Sequence, residues 1–456
     1  MVPLLAWGVV AGGALGAART REAALHLLEK NRALLELGVP ALPGNGHLGT
    51  LASWAPAGAG AVFFGLSLGL GGAALVGLAR TGLRALPSRA GLVAPWALLA
   101  LPLAAAAAGD AGLAAFLAAL VLGALVFAPD PPPPRTLLLR IGAAAVAALG
   151  LLPWTTTPEG PFTRFRDRVL LSSPGGPGLV ANELYYRWTL YPAEALKPLD
   201  ARTQPTVEAD LPGPAREAFC SDAARLGLVC LPPGAGGADC RATRAEGAVI
   251  LAAGSARVVW PGSPGAQQEA WRRLAASADG ARALRRATAA GLFWGWPAAL
   301  LWSLSGLALA LSGWVPRGPS RVAAALVCAA LLGGLVGAVS LPPPWMKALR
   351  AALGPAGRPD PGTLEVHLQG ERPVERLYAV RAARRLGPRG EPWLIDALSD
   401  PVINVRYEAA SGLGATGGPR AREVLVQILE SPEPWYVKER AYAGLRRLGW
   451  SPRERR

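Results

Sequence analysis

Charge is scarce in this chain. Asp, Glu, Lys and Arg make up 17% of its 456 residues, against about 25% in an ordinary soluble protein. The shortfall lies in apolar runs too long for a soluble core helix. Histidine is scarcer: His26, His47 and His367 lie in separate regions, too scattered for a local metal motif. Four cysteines occur without a CxxC pair, which argues against a zinc site. No GxxxxGK(S/T) loop, no GxGxxG in a βαβ setting and no GxSxG elbow is present. The sequence therefore offers no P-loop, dinucleotide or serine-hydrolase signature and implies no cofactor. Lysine is nearly absent too. Only Lys30, Lys197, Lys347 and Lys438 contribute to the 46 basic residues, so the net charge of +15 is carried by Arg. In an Arg-, Ala-, Gly- and Pro-rich chain this fits a GC-rich coding bias. Much of it flanks apolar runs, where basic residues set membrane orientation, so no nucleic-acid partner is expected.

Apolar residues are abundant, at 52% of the chain, with a mean hydropathy of +0.30. A bilayer core needs about 20 apolar residues as helix. Seven segments approach that length, at about 2–18, 58–79, 91–108, 111–128, 136–153, 289–313 and 322–342. The first lacks a basic leader and is expected as a retained anchor. Gly109-Asp110 splits the third from the fourth as a tight helical hairpin. No Asp or Glu falls inside any of the seven, and Arg140, near the start of the fifth, is the one clear charge within them. Intramembrane carboxylates mark proton and ion pathways, so their absence weakens a proton-coupled transporter. Gly65 and Gly69, like Gly333 and Gly337, have the spacing that lets helix backbones approach closely.

The expected organisation is a membrane domain at 1–153 with five spans, a soluble domain at 154–288, two further spans at 289–342, a linker at 343–371 and helical repeats at 372–456. Residues 19–37 read as an amphipathic helix in the first loop, stopped by Pro40 and Pro43. Residues 247–260 read as a β-hairpin around Gly254-Ser255, and 267–288 as an Arg-rich helix leading into the sixth span. The soluble domain holds Cys220, Cys230 and Cys240. Three thiols, or one disulfide between two of them in an oxidising compartment, are both open. The domain also holds an aromatic cluster, Tyr185, Tyr186, Trp188 and Tyr191 with Arg187. These are hot-spot residue types, and a core or membrane-interface role is the alternative.

The C-terminal part repeats itself. Ala379-x3-Ala383-x3-Gly387 returns as Ala409-x3-Leu413-x3-Gly417 and Ala441-x3-Leu445-x3-Gly449, at offsets of 30 and 32 residues. Small residues let the first helix of each unit pack on its neighbours, Gly closes that helix, and Pro388 and Pro419 open the second. Asp400-Pro401-x3-Val405-Arg406 and Leu413-Gly414-x2-Gly417 resemble the bacterial HEAT-like repeats first named for phycobilin lyases, over about 372–450. The last unit departs from the pattern, with Lys438 in the place of Arg406. The resemblance implies an α-solenoid that binds partners, with Arg406 as a candidate contact, and no lyase chemistry. The whole layout also resembles bacterial polytopic membrane proteins with C-terminal HEAT repeats.

The expected fold is thus mainly α: about seven transmembrane helices, a mixed α/β soluble insertion and a C-terminal α-solenoid. The expected function is an integral-membrane scaffold or assembly protein of the bacterial inner membrane, binding membrane or envelope proteins as well as the bilayer. The alternatives are a transport-complex subunit lacking its own ATPase and an integral-membrane transferase. The last would rest on His26, Glu22, Glu29 and Glu36, whose alternating charges fit a solvated face better. Arg80, Arg84 and Arg89, with Arg317 and Arg321, place the short loops in the cytoplasm, and with them the soluble domain and repeats outside it. Arg282, Arg285, Arg286, Lys347 and Arg350 oppose that placement.

Overall fold

A run of 34 residues without a helix breaker after Pro3 is the first architectural fact of this chain, although four glycines punctuate its apolar half. It forms one continuous helix, Val2–Glu36, in place of the expected short span followed by a separate loop helix. Gly38, with a left-handed φ of 69°, follows its end. The computed structural model describes residues 2–42, 54–86, 90–107, 109–128, 130–150, 166–173, 175–183, 196–316, 318–340, 344–353 and 359–450, with residues 163 and 186. The chain forms two compact units. The first comprises Met1–Thr20, Pro56–Phe165 and Gly280–Leu341, and the second Arg21–Ala55, Arg166–Asp279 and Pro342–Arg456.

The first unit is helical. Four helices among the described residues are long and apolar enough to cross a membrane, by length and composition: Val2–Glu36, Ala57–Arg84, Arg282–Trp314 and Pro319–Gly337. That corrects the expected seven. The segments expected at 91–108, 111–128 and 136–153 form shorter helices. Pro95 falls in a 3-10 stretch, Ala94–Leu99. Gly109 turns with φ 81°, and Asp110 caps Ala111–Phe127 through the Leu113 N–H. The next helix, Pro134–Gly150, begins at the last residue of the proline run 131–134, ahead of the expected start at 136. Ala111–Phe127 has 17 residues, about 25 Å of helix, and Pro134–Gly150 is described over the same length.

Small residues hold this unit together. A Cβ at Gly8, Gly12 or Gly16 would collide with the backbone around Gly69, Phe64 and Gly60, and one at Gly71 with Gly291. Gly333 meets Ala147 in the same way. Gly65 and Gly69, read from their spacing, do sit at such an approach. Side chains such as Val10, Leu103, Val126, Phe293 and Leu331 point outward, leaving an apolar surface. Ion pairs join Arg19 to Asp110, and Arg80 and Arg84 to Asp130. Arg140 donates to the Trp302 carbonyl and the Ser305 hydroxyl, with its guanidinium 3.7 Å from the Trp302 ring centre.

The second unit joins a small mixed sheet to a helical stack. Strands β1 (Thr206–Asp210), β2 (Val229–Leu231), β3 (Cys240–Ala245), β4 (Ala248–Ala253) and β5 (Ala256–Trp260) lie in the order β2-β1-β3-β4-β5. β1 is parallel to β2 and β3, while β3, β4 and β5 are antiparallel. The hairpin expected around Gly254-Ser255 is the β4–β5 turn. Helices Gly213–Arg225 and Pro264–Ser277 supply Phe219, Trp271 and Leu274 to the core, with Val207, Leu251 and Trp260 from the sheet. The expected helix 267–288 is two helices, broken around Asp279-Gly280.

The stack holds helices Pro373–Arg385, Glu391–Asp396, Ile403–Thr416, Pro419–Glu430 and Trp435–Arg447. Gly387, Gly417 and Gly449 take φ values of 60°, 70° and 74°, the left-handed caps their register requires. Ala379, Ala383, Ala409, Leu413, Ala441 and Leu445 are fully buried. The stretch 343–371, expected as a linker, carries Pro344–Leu353 and Pro361–Leu368. Met346, Leu349, Leu353 and Leu364 from these helices join the core of the stack, as do Ala24 and Leu171. So few repeats cannot close a solenoid core alone, and the chain's own segments complete it.

Candidate partner-binding groove

The first two repeats carry an arginine at the same register. Arg376 donates to both oxygens of Asp400, at 2.6 and 3.3 Å, and to the carbonyls of Gly370 and Glu371. Arg406, thirty residues on, donates to Glu433 at 3.1 Å and to the carbonyls of Asp400 and Pro401. Each guanidinium thus staples the loop before its own helix to the acid that opens the next unit, and its fork of donors suits that geometry. Lys438 stands at this register in the last unit. Burial lowers its ammonium pKa, with Glu433 opposing.

Above this ladder lies a groove of about 730 Å³, walled by Arg376, Ile403, Arg406, Trp435 and the segment Leu179–Glu183. Leu179 packs on the core of the stack. The Asn182 Nδ2 donates to Asn404 Oδ1 at 2.6 Å, and Tyr186 rests 5.8 Å from the Tyr436 ring. Asn182 and Asn404 are each only 2% exposed. Yet the Oδ1 of Asn182 and the Nδ2 of Asn404 have no partner among the described residues. A buried polar group left so costs about 1–3 kcal/mol. Val180, by contrast, is 60% exposed, and Glu183 and Glu371 are exposed where they line the groove.

Of the residues singled out from the sequence, Tyr185, Arg187, Trp188 and Tyr191 lie outside the described residues. Tyr186 is half-buried against Tyr436. Arg406 lines the groove while its donors serve the ladder. Cys220 and Cys230 form a disulfide that ties Gly213–Arg225 to β2. Cys240 is a buried free thiol on β3, 3.4 Å from the Thr206 carbonyl. Burial, with Asp239 beside it, pushes that thiol up, away from a reactive thiolate.

Sequence reading missed a second cluster. The Asp239 side chain is fully buried and meets His26 Nε2 at 3.1 Å, Lys30 Nζ at 3.5 Å, Arg202, and the Thr206 N–H at 2.9 Å. Lys30 is itself buried and also donates to the Gln204 carbonyl. Gly237, at φ 64°, brings the Asp239 loop against the backbone of Lys30. Burial pushes the Asp239 carboxyl up. Lys30, His26, Arg202 and the Thr206 N–H together outweigh it and hold the group well below the usual carboxylate range. This arrangement clamps residues 21–36 to the sheet. Lys30, Arg202 and His26 all meet this one carboxylate. Among the described residues no group of three or more His, Cys, Asp or Glu is placed to hold a metal ion.

Residues 361–446 match the family model of HEAT repeats. No curated protein matches the chain, and no solved structure matches it. The match starts ahead of the repeat boundary expected from sequence and takes in Pro361–Leu368.

Proposed function

We infer that this protein is an integral-membrane scaffold or assembly protein, anchored by its apolar helices and binding protein partners through its HEAT repeats. The observation that carries this is an open groove on a HEAT stack in a chain with four helices long and apolar enough to span a bilayer. HEAT repeats suit protein–protein contact because stacked helix pairs present an extended surface. The partners are membrane or envelope proteins of a bacterial inner membrane.

Connectivity supports a membrane topology. The three chain segments of the second unit are bonded together, as by Lys30 to the Gln204 carbonyl and the Val374 N–H to the Leu171 carbonyl. They share one side of a bilayer. Equal sides require the stretch 90–150 to cross an odd number of times. The ion pairs of Asp110 with Arg19 and of Asp130 with Arg80 and Arg84 brace the two ends of Ala111–Phe127 against the neighbouring apolar helices. Arg80, Arg84, Arg89, Arg317 and Arg321 lie in the short loops of the opposite side and favour the cytoplasm there. The second unit is then extracytoplasmic, where a Cys220–Cys230 disulfide persists.

Two measurements test this. Alkaline phosphatase fused at the C-terminus is expected to be active; an inactive fusion reverses the topology. Photo-crosslinkers at exposed positions over the repeats are expected to trap a protein in intact membranes. A folded, inserted protein that traps none sinks the scaffold reading.

A further inference from the structure

One charge among the apolar helices of the first unit meets no opposite charge. Arg140, on Pro134–Gly150, reaches across to Arg282–Trp314. Its Nε donates to Ser305 Oγ at 3.4 Å and its Nη2 to the Trp302 carbonyl at 3.1 Å, with the guanidinium carbon 3.7 Å from the Trp302 ring centre. All of these partners are neutral, and no Asp or Glu meets the group among the described residues. We propose that Arg140 receives the carboxylate of an Asp or Glu on a membrane-spanning helix of a partner protein. This rests on the membrane-scaffold reading and names what the partner brings into the bilayer.

Depth selects that occupant. Trp302 stands eleven residues after Gly291 and twelve before Trp314, in the apolar part of its helix, with about 17 Å of helix on either side. The guanidinium held there is near the middle of the apolar stretch. Snorkelling would carry an arginine the other way, to an end. A phospholipid phosphate lies outside a hydrocarbon core about 30 Å thick, so it stays about 15 Å away. A guanidinium keeps its charge, and a charge at this depth calls for a partner. A second copy of the chain has none to offer, because no Asp or Glu falls inside its apolar segments. The remaining source is a carboxylate carried to the same depth by another protein.

The geometry leaves room for it. A guanidinium has five N–H donors, and the two bonds in place use the one on Nε and one on Nη2. Nη1 and the second hydrogen of Nη2 make the end-on fork that a carboxylate accepts with both oxygens. No existing bond is exchanged; Ser305 and Trp302 hold the fork in place. A Cβ at Gly306 would stand 2.9 Å from an Arg140 Nη, so the guanidinium lies against bare backbone. Ala299, Ser303, Gly306 and Ala310 follow one another at four, three and four residues, and Ser303 and Ala310 are exposed. Small residues at that spacing let a second helix approach.

The test uses the full chain in its membrane. A photo-crosslinking residue is placed at Ser303, and separately at Leu138, 68% exposed and two positions from Arg140, on the far side of its helix. Adducts are mapped by mass spectrometry. Ser303 is expected to trap an apolar helix with Asp or Glu inside its span, and Leu138 to trap it at least tenfold less. Arg140→Leu is expected to lower the Ser303 adduct at least tenfold while the protein accumulates as the parent does. Arg140→Lys keeps the charge, loses the fork and is expected to fall between. Exchanging the charges, Arg140→Glu here with the partner's acid changed to Arg, is expected to restore the adduct, which a role confined to packing within this chain would not do. If Arg140→Leu fails to accumulate, changing the partner's acid to Leu is expected to give the same tenfold loss against the parent chain. An Arg140→Leu protein that accumulates and traps as well as the parent overturns the proposal. So does a trapped segment without an acid in its span, a second copy of this chain, or lipid alone. Crosslinkers over the repeats that still trap a protein then leave the scaffold reading standing, and no protein adduct at either place removes both.

Discussion

The two units of this chain differ in what does most of the packing. In the first, backbone meets backbone: Gly8, Gly12 and Gly16 lie against the helix of Gly60 and Gly69, and Gly71 lies against Gly291. In the second such an approach recurs at Gly414 and Gly444, but large side chains fill most of the space between elements, from Phe219, Trp260 and Trp271 around the sheet to Leu377, Leu394 and Leu425 in the stack. Both units bury charge, at Asp110 and Arg80 towards helix ends in the first and at the Asp239 side chain and Lys30 in the second. The difference is what two solvents would demand. Without water there is no hydrophobic force between helices, so close packing of small residues must serve. With water, burial of apolar side chains supplies the force, and a buried charge persists only with partners.

The largest way to break the comparison is at Asp239. Asp239→Ala leaves the buried Lys30 ammonium without its anion, and breaking such a buried pair costs about 3–5 kcal/mol. Thermal unfolding of the purified protein is expected to show the second unit melting earlier. Hydrogen exchange should rise at residues 21–36 and β3 while the helices of the first unit keep their protection. The pH dependence follows from the same group. Its folded pKa is depressed, so its contribution is full above the unfolded carboxylate value of about 4 and is lost as pH falls through the folded one. Stability of the second unit is expected to be insensitive to this group between pH 7 and 5 and to decline below about pH 4. Greater stability on acidification would contradict the clamp.

The matching test of the first unit is Gly71→Leu, where a side chain must enter the backbone of Gly291. Overpacking costs about 1–3 kcal/mol, and the upper end is expected at a backbone contact. The readout is lower accumulation in membranes with unchanged exchange protection in the stack. Normal accumulation and melting would mean that this crossing does not hold the unit.

The repeats were legible in the sequence because one physical need recurs at fixed offsets. Gly387, Gly417 and Gly449 mark the same left-handed cap, and the buried Ala and Leu positions follow it. The length of apolar runs located the long helices but not their ends. Pro95 and Gly109 break the stretch around 91–110 into shorter pieces. The candidate site was legible only in part. Arg406 shows in the repeat register, and Arg376 stands thirty residues before it. Asn182 and Asn404 lie 222 residues apart, and His26, Lys30 and Asp239 meet across more than 200. No local pattern announces such pairings, because tertiary contact alone creates them.

A smaller effect is expected from the disulfide. Cys220→Ser with Cys230→Ser frees a loop with a sequence separation of 10 residues, a loss of about 2–3 kcal/mol. Reductant on the wild-type protein should lower the melting point of the second unit only. Cys240→Ala should respond to reductant as the parent does, since Cys240 forms no disulfide and the Cys220–Cys230 bond is kept. A melting point indifferent to both changes would place the stability of the sheet entirely in its apolar core.

The finest test applies one substitution to two glycines and asks for opposite signs. Gly417 ends Ile403–Thr416 at φ 70°. Alanine there must hold a left-handed backbone, at about 1–2 kcal/mol, and Gly417→Asn should recover part of that, since Asn tolerates the same conformation. Gly334 lies in the middle of Pro319–Ser340, and an added Cβ meets nothing within 4 Å. Gly334→Ala therefore gains helix propensity without a clash, up to about 1 kcal/mol. Melting should fall for Gly417→Ala and hold or rise for Gly334→Ala. Two falls of equal size would mean that the apolar helix also needs its glycine for close approach, to a surface outside this chain.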